Sequence, residues 1–403
     1  MSKVFGFVSN GEDVMSVPWG PNSELQGFKY LQLLGSLLTD LHEAGAERDR
    51  AGNRNLFYDQ YALLLLLYFF NPTVTSLRGL QRTADLTKVR HLGIHRTSLG
   101  SLSEAQQVFD ATLLEKVIAT LVSRLPKPSP SAGPAALLPL VAVDGSLLPA
   151  LPRMAWALWQ DDQHRAAKLH VAFSVFKTNP IAASITVGTG SERAELRRFV
   201  QPGGFYVFDR GYTNYDLFQE LHDQPCSFVG RVQNNVAYEL SRERPLTDTG
   251  RAAGVVRDVE LSRLGTPHHT RLLPQPFRLV WVSTGKRLAN GTDEMLILVT
   301  NRLDLEAELV AMAYHYRWTV ELFFRWLKCV LGCRHLLSQS ANGVTFQVYS
   351  AIIASLLLSL WIGRAPNKAT YEMVCHYLSG WATEEELIAY LARTQQKSMV
   401  SKE

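Results

Sequence analysis

The amino-acid sequence predicts a mixed α/β core, interrupted once by a β-rich insertion, with a helical region before it and helices after it. Three observations carry this reading. The stretch "RLPKPSPSAGPAA" (124–136), rich in Pro, Ser and small residues, separates apolar residues at helical spacing from apolar residues at strand spacing. Beyond it, "LLPLVAVDGSLL" and "GGFYVFDRGYTN" are apolar strand-length runs that reach an aspartate just before a Gly or Arg-Gly turn. Finally, "EMLILVTN" reads as a buried strand, and helical spacing follows it from Asp304 to about Gly332.

The elements follow in order. Residues 1–25 are punctuated by Gly, Ser and Pro and are expected to be loosely ordered. "FKYLQLLGSLLTDLHEAG" has helical spacing and ends at a glycine, and "NLFYDQYALLLLLYFF" is a second helix halted by Asn71-Pro72. "SEAQQVFDATLLEKVIATLVSRL" reads as a third, with Ser103 and Gln106 as a capped start. After the linker, "AKLHVAFSVFK" and "IAASITVGT" alternate as strands do. "SERAELRRFV" and "YDLFQELHD" suit helices, and "CSFVGRV" is a further strand. Residues 233–290 carry scattered β patterning, "FRLVWVST" for example. The expected divisions are a helical region 1–125, a core in two parts (137–232 and 291–365), the insertion 233–290 and a C-terminal helical region 366–403.

Composition bounds the rest. The 403 residues are 46% hydrophobic, 19% charged and 10% aromatic, which excludes a disordered chain and allows two or three domains. A net charge of +4 permits a nucleic-acid partner but does not argue for one. Cys226, Cys329, Cys333 and Cys375 form no disulfide framework; Cys329, Cys333 and His335 lack a second metal-ligand pair and read as buried free thiols rather than a zinc site. With no basic-then-apolar leader, a cytoplasmic protein is expected. The apolar runs 61–70 and 349–363 fall short of the roughly 20 residues of a membrane span and read as buried helices.

The chemistry gathers in "AYHYRWTVELFFRWLK" (313–328). At about 100° per residue, Tyr314, Arg317, Trp318, Glu321, Arg325 and Lys328 share a stripe roughly 100° wide, and the rest of the circumference is apolar. A ladder of i,i+4 ion pairs accounts for Arg317, Glu321 and Arg325. It leaves Tyr314, Trp318 and Lys328 unexplained. Asp144 and Asp209 stand at strand ends, where open α/β sheets hold ligands; each, taken alone, is as well explained as a turn cap. Three gathered carboxylates repel unless a cation neutralises them. Hard divalent ions take such oxygens, and a pair of them clamps the two oxygens of an in-line phosphoryl transfer. Neighbouring bases suit phosphates, and exposed aromatics suit unstacked nucleobases.

Tyr314, Arg317, Glu321 and Lys328 stand in the spacing Y-x2-R-x3-E-x6-K. The chain thereby resembles the bacterial insertion-sequence DDE transposases of the insertion-sequence-four family. "VAVDGS" (141–146) and "FDRGY" (208–212) are similar to that family's first and second aspartate motifs, and "KLHVAF" (168–173) to its next strand. The resemblance covers about 137–365. It implies a ribonuclease-H-like mixed sheet core interrupted by a β-rich insertion. It implies Asp144, Asp209 and Glu321 as a catalytic triad holding two Mg2+ ions, with Mn2+ able to substitute. Tyr314, Arg317 and Lys328 would hold DNA phosphates, with Arg325 beside them on the stripe and Arg210 next to the second aspartate. Trp318 would lie near a flipped base of a DNA hairpin, with Trp281 of the insertion as the second aromatic.

The activity so implied is cut-and-paste transposition: cleavage at terminal inverted repeats, a hairpin intermediate, and joining to target DNA by a homodimer, with no membrane partner and a nucleoid-associated location. The competing readings are a nuclease that joins nothing, a repurposed transposase derivative that only binds DNA, and a metal phosphatase, which the basic stripe disfavours. The N-terminal region would bind transposon ends or serve only for packing; no helix-turn-helix stands out there, although "SLRGLQRTADL" (76–86) followed by "KVRHLGIHRTSLGSLSEA" places bases and turns suitably. "WATEEELIAYLART" (381–394) is an amphipathic candidate for dimerisation.

Overall fold

The computed structural model describes residues 35–46, 56–90, 93–129, 132–150, 153–157, 164–289, 291–333 and 335–400. The segment 1–25, and part of the 124–136 linker, lie outside the described residues. The chain divides into two compact units, Met1–Ala105 with Met373–Glu403, and Gln106–Glu372.

In the first unit, α1 (Gly35–Ala46) packs on α2 (Tyr58–Phe70), followed by α3 (Leu77–Ala84), the single turn α4 (Thr87–Arg90) and α5 (Leu99–Val108). Asn71 leaves α2 in an extended conformation, as a residue before proline must. Ser76 caps α3 by accepting from the Gly79 N–H at 3.2 Å. The third expected helix is in fact two, α5 and α6 (Leu113–Arg124). Asp110 accepts from the Thr112 N–H at 3.0 Å and from its hydroxyl at 2.8 Å. That local turn outcompetes the helix. Ser103 therefore lies inside α5, and Ser98 caps it, accepting from the Ser101 N–H at 3.0 Å.

The second unit is built on one mixed sheet. Its strands are β1 (Leu140–Pro149), β2 (Ala166–Ser174), β3 (Asn179–Val187), β4 (Phe205–Phe208), β5 (Ser227–Val232), β6 (Ala237–Glu243), β7 (Val255–Thr266), β8 (His269–Arg287) and β9 (Asp293–Thr300). Among the described residues they form a nine-stranded sheet in the order β3-β2-β1-β4-β5-β9-β8-β7-β6. The first three strands are antiparallel neighbours, whereas β4 runs parallel to β1, and β5 parallel to β4. The helices α7 (Glu192–Phe199) and α8 (Tyr215–Asp223) make the connections that parallel pairing requires.

The β-rich insertion, which also carries the short α9 (Asp248–Ala252), is not a separate layer. Strand β9 pairs antiparallel with β5, and β8, β7 and β6 continue the same sheet. One apolar cluster runs through both parts, from Val143, Phe208 and Phe228 to Val259, Leu261, Phe277 and Leu279. Within it Phe218 of α8 stacks on Phe228 at 5.2 Å, and Phe277 meets Phe228 edge-on at 5.7 Å. The insertion strands are thus held by the same burial that folds the core.

The helical run after β9 is segmented: α10 (Ala307–Tyr316), α11 (Trp318–Arg325) and a π-helical turn, Trp326–Val330. Arg278 fixes its entry. This side chain, 1% exposed, donates two bonds of 2.6 Å to Asp258 and one to the Leu305 carbonyl just before α10. Helix α12 (Ala341–Ile362) is longer than the apolar run suggested, at 22 residues, and is apolar enough to span a membrane by length and composition. Its apolar window is 89% buried within the unit. It packs on α6 and β3, so α6 belongs with the sheet rather than with the N-terminal helices. The chain continues through α13 (Lys368–Leu378) to α14 (Glu384–Val400), which opens with a capping box between Thr383 and Glu386.

Candidate active site

Parallel pairing of β1 with β4 brings Asp209, just past the end of β4, beside Asp144, which lies inside its strand rather than at the expected strand end: the β1–β2 ladder carries β1 on to Pro149, with Asp144 paired to Val171. Asp209 caps the turn after β4, whereas Asp144 sits within strand β1. One Asp144 oxygen accepts from the Gly145 N–H, and one Asp209 oxygen from the Gly211 N–H, each at 2.7 Å. The second Asp144 oxygen faces another group. Helix α11 packs across β1 and β2, seating Phe323 against Phe173 at 5.4 Å. This brings Arg317 to 3.1 Å from Asp144 Oδ2 and, one turn along the helix, 2.6 Å from Glu321 Oε1. A single guanidinium therefore bridges the first aspartate and the glutamate.

The other stripe residues surround this bridge. The Tyr314 ring lies 5.8 Å from the Arg317 guanidinium, and its hydroxyl bonds to Arg231. Lys328 Nζ donates to Ser146 Oγ at 2.7 Å and to the Leu147 carbonyl at 2.6 Å. The π turn that carries Lys328 departs from the 100° increment assumed for it, and such turns recur at functional sites. A cleft of about 360 Å³ is lined by Asp144, Ser146, Glu321, Phe324, Arg325 and Lys328 among others. Trp318, at 49% exposure, and Leu322 beside it stand open on α11, and Arg210 is exposed next to Asp209.

Trp281 does not join them. On β8 the side chains of Phe277 and Leu279 enter the cluster with α8, and Trp281, in phase with them, packs on that same cluster. It lies 5.5 Å from Tyr238 and 5.3 Å from the Arg257 guanidinium. Arg278, out of phase with it, points to the face that meets α10. The period-two alternation therefore turns Trp281 away from the helix that carries Trp318. Cys329 is exposed rather than buried, whereas Cys226, Cys333 and Cys375 are buried free thiols.

Residues that the sequence reading passed over lie behind the aspartates. Lys168 Nζ is 2.6 Å from Glu192 Oε1, with both side chains largely buried. His170 is fully buried, with Nε2 at 2.9 Å from Thr186 Oγ1. A lysine and a histidine alternating on one face of a strand, "KLH", were the available signal. Burial pushes the Asp144 carboxyl up to about 7; the Gly145 N–H and Arg317 oppose this, while Asp209 and Glu192 add to it. Burial also lowers the His170 imidazole to about 4, with Lys168 as the lesser cause. The Tyr212 hydroxyl is raised by burial first, and then by Asp144, Glu192 and Asp209.

Among the described residues, no three carboxylate, imidazole or thiol groups are gathered to hold a single ion. Arg317 takes the position between Asp144 and Glu321. The donor set nonetheless fits a hard divalent cation. It offers carboxylate oxygens, of which Asp144 is desolvated and in need of a counter-charge.

The chain matches the family described as Transposase DDE domain over residues 136–357. It belongs to that family. The match takes in Asp144, Asp209, Glu321 and the whole cleft. A Sinorhizobium fredii protein named as a transposase, y4zB, is 28% identical over 220 residues, 54% of this chain and 59% of that protein. The chain thus spans somewhat over half the length of this relative. A Geobacillus stearothermophilus protein named as a transposase for insertion sequence element IS5377 is 25% identical over 76% of this chain and 78% of its own length. A Synechocystis protein named as a transposase for insertion sequence element IS4SA is 23% identical over 81% of this chain and 91% of its own. Among solved structures, the cryo-EM structure of the piggyBac transposase synaptic complex with hairpin DNA superposes with a TM-score of 0.47 at 13% identity, over 92% of this chain and 85% of that one.

Proposed function

We propose that this DDE-family chain is a cut-and-paste DNA transposase, which cleaves at the terminal inverted repeats of its element and joins the freed ends to target DNA. One observation carries the reading: Asp144 of β1 and Glu321 of a helix over a hundred residues downstream, bridged by Arg317, border a cleft whose cations suit phosphate, with Asp209 just past the end of the neighbouring parallel strand. The order β3-β2-β1-β4-β5, with β1 to β3 antiparallel, supports a ribonuclease-H-like core.

Asp144, Asp209 and Glu321 would hold Mg2+ or Mn2+, which supplies charge neutralisation and activation of the attacking oxygen when bound. The chain's own residues do the rest. Arg317 leaves its carboxylates to pair with a backbone phosphate, for which its planar fork is suited. Lys328, held on β1, places a second positive charge at the cleft wall. Arg325 and Arg210, both exposed, extend the cationic track. Trp318 offers an open ring on which a displaced base stacks. Water first breaks one strand, and the released 3′-hydroxyl attacks the opposite strand to give a hairpin. Reopening of the hairpin restores the 3′-hydroxyl that joins target DNA. Flipping one base relieves the hairpin bend and costs a few kcal/mol, which stacking offsets. The first unit would bind the transposon end, and the chain would act as a homodimer on DNA in the bacterial cytoplasm.

The test is purified protein with end-containing duplex and Mg2+. Nicked, hairpin and strand-transfer products are expected, and Asp209→Asn and Glu321→Gln should abolish all three while DNA binding persists. Cleavage by Glu321→Gln at the wild-type rate would refute the assignment. Hydrolysis without joined product would favour a nuclease.

A further inference from the structure

Along β1 the side chains of Asp144 and Ser146 face α11, and Gly145 between them presents only a bare Cα to the opposite face. On that opposite face lies Glu192, the first residue of α7, with Lys168 of β2 bonded to it. The helix is firmly placed. Ser191 caps it, Leu196 is fully buried, and Arg197 makes a two-pronged bond to Glu220 of α8. The Lys168 and Glu192 side chains are 15% and 23% exposed, so the pair is not an ordinary surface bridge of small worth.

The contacts of this pair are with the backbone beside the two aspartates: Gly145 within β1 and Gly211 in the turn after β4. A Cβ placed on Gly145 would lie 2.8 Å from Lys168 Cε and 3.3 Å from Glu192 Oε1. A Cβ placed on Gly211 would lie 2.5 Å from Glu192 Oε2. One carboxylate thus has an oxygen against the β1 backbone next to Asp144 and the other against the turn that follows Asp209. A Cβ at either glycine would push the end of the Lys168 or Glu192 side chain away, so the close approach depends on glycine at both positions.

We propose that the Lys168–Glu192 pair is a positioning strut that sets the spacing between Gly145 of strand β1 and the Gly211 turn, and through them the separation of the Asp144 and Asp209 carboxylates. The proposal rests on the reading that these two aspartates hold the divalent ion. Neither Lys168 nor Glu192 touches the reacting atoms.

The strut differs in its consequences from a purely electrostatic role. If only charge mattered, Glu192→Gln would weaken cation binding and Lys168→Met, leaving an uncompensated carboxylate, would tighten it. A strut fails when either end is removed. Isothermal titration of Mn2+ into the DNA-free full chain should therefore show both variants weakened by about tenfold. The double variant should be no worse than the singles, because one strut is lost in each case. The Mg2+ concentration needed for half-maximal cleavage should rise in parallel. Gly211→Ala is the second perturbation: Gly211 has no positive φ, so alanine suits the backbone, and its Cβ displaces Glu192 without deleting it. It should weaken Mn2+ binding similarly, and it decides the matter if Glu192→Gln does not fold. Asp144→Asn is the control. Loss of binding in Asp144→Asn with affinity kept within twofold in the strut variants would overturn the strut alone, as would tighter binding by Lys168→Met. Unchanged affinity in Asp144→Asn would remove the metal-site reading, and the strut with it.

Discussion

Replacing Arg317 by Gln removes the cation that lies between Asp144 and Glu321. Arg317 is 14% exposed, Asp144 16% and Glu321 31%. Breaking a buried pair by deleting one partner costs about 3–5 kcal/mol, and exposed pairs cost under about 1. Asp144 lies near the buried end of that range and Glu321 is partly solvated, so the metal-free variant should lose about 2–4 kcal/mol. The loss should depend on pH. Asp144 titrates at about 7 in the folded chain against 3.8 when unconstrained, so the folded state holds its proton more tightly. The wild type should therefore lose stability as pH rises from about 4 to about 7, where the unfolded chain has already released the proton. Arg317 opposes that penalty only when Asp144 is ionised. Losing Arg317 raises the Asp144 carboxyl further, so the gap between wild type and Arg317→Gln should be small below about pH 7 and widen as pH rises above it. Urea unfolding followed by Trp fluorescence in EDTA, then with excess Mn2+, measures it. Metal should narrow the gap by supplying the missing charge. Equal urea midpoints in EDTA at the higher pH, or a gap that Mn2+ leaves unchanged, would refute the bridging role of Arg317.

Other consequences are as direct. Asp258→Ala strands the fully buried Arg278, held at 2.6 Å by both carboxylate oxygens, and should cost about 3–5 kcal/mol in denaturant unfolding. Trp318→Ala should change stability by under about 0.5 kcal/mol, because the ring is 49% exposed, yet weaken hairpin DNA binding by about 1–3 kcal/mol in a fluorescence titration. Phe323→Ala, on the buried side of the same helix against Phe173, should show the reverse: about 3–5 kcal/mol of lost stability. Trp281→Ala should leave hairpin binding unchanged, since the ring packs on Tyr238 and the α8 cluster.

The stripe on the signature helix was legible because helical spacing is local. Residues four apart on a helix are neighbours wherever the helix goes, and Arg317 does reach Glu321 at 2.6 Å. The end of β4 at Asp209 was legible for a related reason, the apolar run stopping there; Asp144 was misplaced, because β1 runs past it to Pro149 in register with β2. Local competition was harder to read. Asp110 breaks one expected helix in two through bonds to Thr112, because a side-chain acceptor two residues away can outbid the helical carbonyl. The face of β8 on which Trp281 falls depends on register with β7 and β9, which no short window contains.

What the chain determined by itself was a set of short-range facts: which segments are helix or strand, that Asp209 follows a strand, and which charges share a helix face. These follow from periods of two and 3.6 residues. Tertiary structure alone decided that the insertion extends the core sheet, that Arg317 also reaches Asp144, and that Glu192 and Lys168 stand behind both aspartates. Each of these depends on strand order, and the last also on glycine at positions 145 and 211. Strand order is set by burial of one apolar cluster drawn from residues over a hundred positions apart, and no local rule records it.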